Sequence, residues 1–138
     1  MAHQFTAGEM LKSLTKSPIT KTQLVMYSGA SGDFNPIHTV DEFAVQAGLG
    51  GVIAHGMLTM AFVGQMLTDI IGEDGTLVDF GVRFKGMVRP GDTITCAGQV
   101  TKVEAESLGQ RVFADIWAET DKGDRVVTGD AEFTTYAI

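Results

Sequence analysis

The stretch from Val52 to Ile71 constrains the fold most, because as a helix it would be apolar on almost every side. Its apolar positions are Met57, Leu58, Met60, Ala61, Phe62, Val63, Met66, Leu67, Ile70 and Ile71. His55, Thr59 and Gln65 interrupt it, so that no apolar run reaches the roughly 18 residues that a membrane span needs. A helix of this kind in a globular protein is a buried helix, and Gly72 is expected to end it.

The residues after Thr76 show the alternating pattern of β-strands. Turn signals lie at Arg89–Asp92 and Asp121–Asp124. The expected strands are Leu77–Val88, Ile94–Val100, Val112–Glu119 and Val127–Phe133, with possible bulges or bends at Gly81 and Gly86. Four consecutive strands joined by turns predict an antiparallel sheet.

Two short helices are expected before the apolar stretch. Thr20 begins the first, since Gln23 completes a capping box, and this helix is expected to end near Ser28. Its apolar side is expected to be Leu24, Val25 and Tyr27, and its terminators Gly29 and Gly32. Asp41 is expected to cap the second helix, Glu42–Ala47.

A helix buried on all sides needs a sheet that curves around it, because a flat sheet covers only one face. Helices followed by strands, with one short strand before Pro18, therefore predict an α+β protein with a single hot-dog fold. In this fold an antiparallel sheet wraps around a long buried central helix, and residues 1–138 form one domain. One sheet leaves its edge strand and part of the helix uncovered, so at least a dimer is expected.

The charge balance argues against some partners. The 138 residues include 17 acidic and 10 basic ones, a formal net charge of −7. This acidity disfavours nucleic acid and anionic membranes as partners. Arg83, Lys85 and Arg89 could form a local patch for a phosphorylated small molecule or be ordinary surface charge. Because Cys96 is the only cysteine and no signal-peptide pattern begins the chain, a reducing cytoplasm is expected.

The segment Ser31–His38 places a carboxylate, an amide and an imidazole close together, as Asp33, Asn35 and His38. The glycine before them and the proline among them suit neither a regular helix nor a strand. These side chains are therefore expected on a shaped loop, where binding and catalytic groups are often found. Gly-Asp and Asn-Pro are also ordinary turn dipeptides, so the residues alone support a functional site and a plain turn equally.

Three stretches resemble a known family. Residues 27–38 (YSGASGDFNPIH), followed by Ala44, resemble the hydratase 2 motif of MaoC-like hot-dog proteins. Residues 53–58 (IAHGML) resemble the entry of that family's central helix, and residues 88–92 (VRPGD) resemble a turn between its strands. The family includes (R)-specific enoyl-thioester hydratases and (3R)-hydroxyacyl-thioester dehydratases. In length the chain is similar to small members such as the beta subunit of mycobacterial (3R)-hydroxyacyl-carrier-protein dehydratase. Ala30, where many members have a larger aliphatic residue, is a mild departure.

The resemblance implies reversible hydration of trans-2-enoyl thioesters of coenzyme A or acyl-carrier protein in fatty-acid metabolism, without a cofactor. By direct match, Asp33 and His38 would orient and deprotonate a water and supply a proton to the adjacent carbon. Asn35 would shape the loop or orient the substrate. The Gly56 amide, at the start of the buried helix, would stabilise the thioester oxygen. His55 is expected to be a hydrogen-bonded structural histidine, and no metal-like spacing of ligands is present, so no metal is expected.

Two alternatives remain open. A hot-dog acyl thioesterase would also use a carboxylate and a helix-terminal amide, although the paired Asp33 and His38 suit a hydratase better. The chain could also be a subunit of a heteromeric dehydratase, paired with a related hot-dog subunit in place of a second copy. A purely structural subunit, however, would not need Asp33, His38 and Gly56 together.

Overall fold

The computed structural model describes residues 3–136. Strands, α-helices and one 3₁₀ turn follow each other along this part of the chain. In order they are β1 (Leu14–Thr15), α1 (Lys21–Ser31), the 3₁₀ turn (Pro36–His38), α2 (Asp41–Gln46), α3 (Gly56–Ile71), β2 (Gly75–Phe84), β3 (Ile94–Glu106), β4 (Gly109–Thr120) and β5 (Arg125–Tyr136). No helix within the described residues is long and apolar enough to cross a membrane.

The strands form one antiparallel sheet in the order β1-β3-β4-β5-β2. Hairpins join β3 to β4 and β4 to β5, and the predicted turn Asp121–Asp124 makes the second connection. β2 lies at the edge beside β5 and does not pair with β3, its successor in sequence. The prediction of a bulge at Gly81 is wrong, since Gly81 pairs regularly with Asp130 and the irregularity lies at Val78. Gly86 lies beyond the end of the strand.

The sheet curls around α3, which contacts β2, β3, β4 and β5. Alternate residues of β4 point into the core, which they share with the inward side of α3. The buried members are Val112, Ala114, Ile116 and Ala118 of β4 and Leu58, Phe62, Val63, Met66, Leu67 and Ile71 of α3. The predicted α+β hot-dog fold is thus confirmed. In the single chain a stripe of α3 that includes Met57, Ala61 and Gln65 stays exposed.

Helix α1 is longer than predicted. Thr20 caps it as expected, with Oγ1 accepting a hydrogen bond from Gln23 N at 3.0 Å. The helix continues through Gly29 to Ser31, and its C-cap is Gly32, whose φ of 74° is the left-handed conformation typical of that position. Its buried residues are Leu24 and Ser28, one helical turn apart, whereas Val25 is 57% exposed. Val25 was therefore wrongly predicted to face the core.

Asp41 does not cap α2, contrary to the prediction. The N-cap is Val40, which makes no side-chain hydrogen bond, and Asp41 is the first helical residue. Its carboxylate accepts hydrogen bonds from Lys21 Nζ at 2.5 Å and from Val52 N at 3.1 Å. The bond from Lys21 and then that from Val52 lower the pKa of Asp41 below its usual value. The carboxylate thereby ties α1 and α2 to the extended segment that enters α3.

Candidate active site

The loop after α1 is built from the turn chemistry that its sequence predicts. Ser31 Oγ accepts a hydrogen bond from Asp33 N at 3.2 Å, and Asp33 Oδ1 accepts one from Asn35 N at 3.2 Å. Asn35 Oδ1 accepts one from Ile37 N at 3.2 Å and so caps the 3₁₀ turn. Asp33 thus uses one carboxylate oxygen to shape the loop. Its other oxygen, Oδ2, is left to meet His38.

His38 is buried and its tautomer is set by one contact. Its Nδ1 lies 2.7 Å from the carbonyl oxygen of Ile53. Because a carbonyl oxygen only accepts, Nδ1 must carry the hydrogen, and the neutral ring therefore presents a lone pair at Nε2. This Nε2 lies 3.8 Å from Asp33 Oδ2, and the Asp33 side chain is 51% exposed. The loop thus brings the two predicted residues together, at a separation that lets one water contact both.

His55 packs against this pair on the side of the protein interior and is only 2% exposed. Its Nε2 is 3.0 Å from Ser28 Oγ and 3.3 Å from the Asp33 carbonyl oxygen. Its ring stacks on that of His38, with centroids 3.8 Å apart and planes 23° apart, and Tyr27 meets it edge-on. Burial, followed by proximity to His38, lowers the pKa of His55 below its usual value. His55 is hydrogen-bonded, as expected, and it is more central to the site than the sequence indicated.

Gly56 is the first residue of α3, directly after the His55 N-cap. No acceptor for its backbone N–H is found among the described residues. This N–H therefore lies free at the positive end of the helix dipole. A Cβ added at Gly56 would lie 3.0 Å from two ring carbons of Phe84 at the end of β2. Sequence reasoning missed this phenyl ring, because nothing local links residue 84 to residue 56.

The fold brings Asp33, His38 and His55 together closely enough to be considered as a metal site, although no metal-like spacing exists in the sequence. One potential ligand atom from each lies within 4.8 Å of the other two. The two imidazole planes are stacked, however, and Nε2 of His55 is hydrogen-bonded. Lone pairs of stacked rings lie in nearly parallel planes and therefore do not converge on one point as tetrahedral ligands must. The geometry suits proton transfer and positioning better than metal binding.

The three basic residues singled out from the sequence do not form one patch. The Arg89 guanidinium donates to the carbonyl oxygens of Leu49 at 2.5 Å and Gly51 at 3.3 Å. It therefore clamps the glycine-rich loop that leads into α3. Arg83 lines a groove of about 700 Å³ that also includes Asp115 and Trp117. These two alternate with the inward residues of β4, so the groove lies on the outer face of the sheet.

Comparisons with known proteins agree with this architecture. Residues 3–122 match the family model described as MaoC like domain. The fatty acid synthase subunit beta of Aspergillus oryzae is 39% identical over 110 residues, which cover 78% of this chain and 5% of that protein. The (R)-specific enoyl-CoA hydratase of Rhodospirillum rubrum is 35% identical over 95 residues, covering 68% of this chain and 65% of the hydratase. The chain spans only 5–6% of the fungal synthase subunits that it matches.

Solved structures give the same result for the fold. The structure of an (R)-hydratase from A. caviae involved in PHA biosynthesis has a TM-score of 0.85 and 25% sequence identity. The match covers 97% of this chain and 99% of that one. The whole architecture, including the position of α3 within the sheet, is therefore shared with a hydratase of similar length.

Proposed function

Because this chain belongs to the MaoC-like domain family, we propose that it catalyses the reversible hydration of trans-2-enoyl thioesters. The reverse direction is dehydration of (3R)-hydroxyacyl thioesters. The observation that carries the proposal is the pair formed by Asp33 Oδ2 and His38 Nε2, 3.8 Å apart. His55, which stacks on His38, is followed directly by Gly56 at the N-terminus of α3. Relatives named (R)-specific enoyl-CoA hydratase and 3-hydroxybutyryl-CoA dehydratase support the same reaction.

In the hydration direction Asp33 and His38 hold one water between them. The neutral His38 Nε2 and the Asp33 carboxylate can both accept from it, so the pair removes a proton as the water oxygen bonds to C3. The enolate that forms then takes a proton from the pair at C2. Water is added as hydroxyl and hydrogen, and neither an oxidant nor a cofactor is consumed. A positioned acid or base of this kind contributes about 10²- to 10⁴-fold in rate.

The thioester oxygen gains negative charge between these two events. The Gly56 N–H points along the axis of α3 from its positive end, and it is preorganised by the helix. We assign it the role of oxyanion donor. Asn35 has a supporting role, because its side-chain oxygen is used to cap the 3₁₀ turn between Asp33 and His38.

The thioester carrier is coenzyme A or an acyl-carrier protein in this proposal.

We also propose that two copies, or one copy and a related hot-dog subunit, pair through β2. That strand has no partner on its outer side among the described residues, and Val78 and Phe84 on it are 46% and 52% exposed. Light scattering should give a mass of about twice 14.7 kDa, and a mass of one chain would contradict the homodimer. The buried single Cys96 supports a reducing compartment such as the cytoplasm.

The test is to mix the protein with crotonyl-coenzyme A and follow both the enoyl absorbance and free thiol. A falling absorbance without thiol release is expected. Asp33→Asn should lower kcat by about 10²- to 10⁴-fold, while its side-chain oxygen can still accept from Asn35 N. His38→Asn should behave alike, because the asparagine amide can still donate to the Ile53 carbonyl.

Asp115→Asn is the matched control, since Asp115 is exposed on the outer face of the sheet. It removes the same charge and should leave kcat unchanged. Flat absorbance with release of thiol would replace the hydratase proposal by the thioesterase alternative. Wild-type activity in Asp33→Asn or His38→Asn would remove that residue from the mechanism.

A further inference from the structure

In the proposed mechanism His55 does not contact the substrate, yet it contacts both Asp33 and His38 and directly precedes Gly56. It contacts the Ser28 hydroxyl of α1, the Asp33 carbonyl of the loop and the ring of His38, and its own backbone begins α3. We propose that His55 is a positioning residue that sets the separation between the Asp33 carboxylate and His38 Nε2. This inference rests on the proposed hydratase function and assigns a residue that acts through the catalytic pair.

The first contact fixes the loop. The Asp33 carbonyl oxygen only accepts, so at 3.3 Å His55 Nε2 must carry the hydrogen. The same N–H lies 3.0 Å from Ser28 Oγ, so it is shared between an acceptor on α1 and one on the loop. The bond to Ser28 is shielded from water, since Ser28 is 3% exposed and His55 is 2% exposed, and a hydrogen bond in such surroundings is stronger than one at the surface. The bond to the Asp33 carbonyl is partly buried, and through the same N–H it links the Asp33 backbone to α1.

The second contact fixes the imidazole of His38. The Ile53 carbonyl holds this ring at one edge through Nδ1, which by itself allows the ring to tilt. The face of His55, 3.8 Å away and inclined by 23°, removes that freedom. Because one rigid side chain holds both the Asp33 backbone and the His38 ring, it determines the 3.8 Å separation of Oδ2 and Nε2, which a water must bridge from the side.

The remaining features of His55 argue against a merely stabilising role. Its Nδ1 is buried and has no hydrogen-bond partner among the described residues, which is unfavourable for stability. A phenyl ring would fill the same space without an unpaired nitrogen. The histidine is therefore explained by what its Nε2–H and its face hold in place. Neither Ser28 nor His55 is accessible enough to attack a substrate directly.

Two substitutions separate the contacts. His55→Phe retains the stacked ring and removes the N–H donor, whereas His55→Gln retains a donor at the place of Nε2 and removes the stacked ring. His55→Phe should lower kcat for crotonyl-coenzyme A by about 10²-fold with KM unchanged, the loss typical of a misplaced catalytic group. His55→Gln should recover about tenfold of that loss. Ser28→Ala should lower kcat less than His55→Phe, because the bond to the Asp33 carbonyl remains.

His3→Phe is the control, since His3 is an exposed histidine that pairs with Glu9 away from the site. Unfolding midpoints are measured for every variant by circular dichroism. Full kcat in His55→Phe, or a change in KM alone, would overturn the inference. A variant that fails to fold leaves His55→Gln and Ser28→Ala to decide, and wild-type kcat in both would also overturn it.

Nitrogen-detected NMR of the wild-type histidines tests the inference without turnover. It should show hydrogen on Nε2 of His55 and on Nδ1 of His38, and the opposite tautomer of His55 would refute the assignment. Wild-type protein that does not hydrate any enoyl thioester refutes the proposed function instead. An active wild type with an equally active His55→Phe refutes only the inference.

Discussion

Replacing Gly56 by proline and by alanine should isolate the contribution of one backbone N–H to catalysis. Gly56 is the first residue of α3, the helical position at which proline is best tolerated. The preceding His55 has φ −60° and ψ 131°, the extended conformation that a residue before proline prefers. The Gly56 N–H has no acceptor among the described residues, so proline breaks no hydrogen bond of the fold. Proline therefore removes the proposed oxyanion donor and retains the helix.

Alanine is the matched control because both substitutions add a Cβ at the same place. That atom would lie 3.0 Å from Cδ1 and Cε1 of Phe84, whose side chain is half exposed and can move aside. The cost of this Cβ contact is common to both variants and cancels in their ratio. What remains is the replacement of the N–H by the proline Cδ, and removing one such donor costs about 10²- to 10³-fold in kcat, or ~3–4 kcal/mol at the transition state. The kcat of Gly56→Ala should therefore exceed the kcat of Gly56→Pro by that factor.

The assay is the initial loss of enoyl absorbance at saturating crotonyl-coenzyme A, with circular dichroism to establish that both variants are folded. Repeating the pair in a Phe84→Ala background removes the shared contact and should leave the ratio unchanged. If proline retains kcat to within about threefold of alanine, which is less than 1 kcal/mol, the Gly56 N–H does not stabilise the developing charge. The oxyanion donor would then have to be another group.

Three further predictions concern stability and reactivity. Arg89→Ala should lower the free energy of unfolding, measured in urea, by about 1–3 kcal/mol, because the Leu49 and Gly51 carbonyls lose their donor. Arg83→Ala, on the outer face of the sheet, is the control and should stay within about 0.5 kcal/mol of wild type. Equal effects of the two substitutions would refute the role of Arg89 as a clamp. The pKa of His55 is lower in the folded protein than its usual value of 6.5. The stability that its neutral form contributes is therefore fully present above pH 6.5, and it is lost as the pH falls through the pKa of His55 in the folded protein. His55→Gln should therefore lose less stability between neutral and acidic pH than wild type, and parallel curves would contradict this assignment. Burial raises the pKa of Cys96 to about 11, so a thiol reagent should titrate no cysteine in the native protein at neutral pH and one cysteine after unfolding. Rapid reaction of the native protein would contradict this prediction and would mean that β3 opens readily.

Features encoded by local patterns were predicted well from the sequence. The Thr20 cap, the buried helix ended by Gly72, the strands and the turn at Asp121–Asp124 all depend on residues within a few positions of each other. The errors lie where a longer-range contact outweighs a local preference. Asp41 has the side chain of a helix cap, but Lys21 and Val52 offer its carboxylate other partners.

The end of α1 has a local cause. Gly29 is expected to break a helix, since glycine costs about 1 kcal/mol in a helix interior relative to alanine. Beyond Gly29, however, Ser31 Oγ donates to the Tyr27 carbonyl at 2.7 Å and Gly32 N donates to the Ser28 carbonyl at 2.9 Å, so the last turn of the helix keeps its hydrogen bonds. As a result the loop begins at Gly32, immediately before Asp33.

The sequence by itself determined the kinds of elements, the hot-dog arrangement and the choice of Asp33, His38 and Gly56 as candidates. Hydrophobic periodicity, caps and turn residues act over one or two helical turns, and a linear pattern records them directly. Only the tertiary structure decided that β2 lies beside β5, that the Ile53 carbonyl selects the His38 tautomer and that Phe84 covers Gly56. It also decided that His55 joins Ser28, Asp33 and His38. These contacts join residues from 15 positions apart, as for His38 and Ile53, to 60 positions apart, as for Gly75 and Thr135. They exist because the sheet curls around α3 while Asp41 and Arg89 hold the entry to that helix in place.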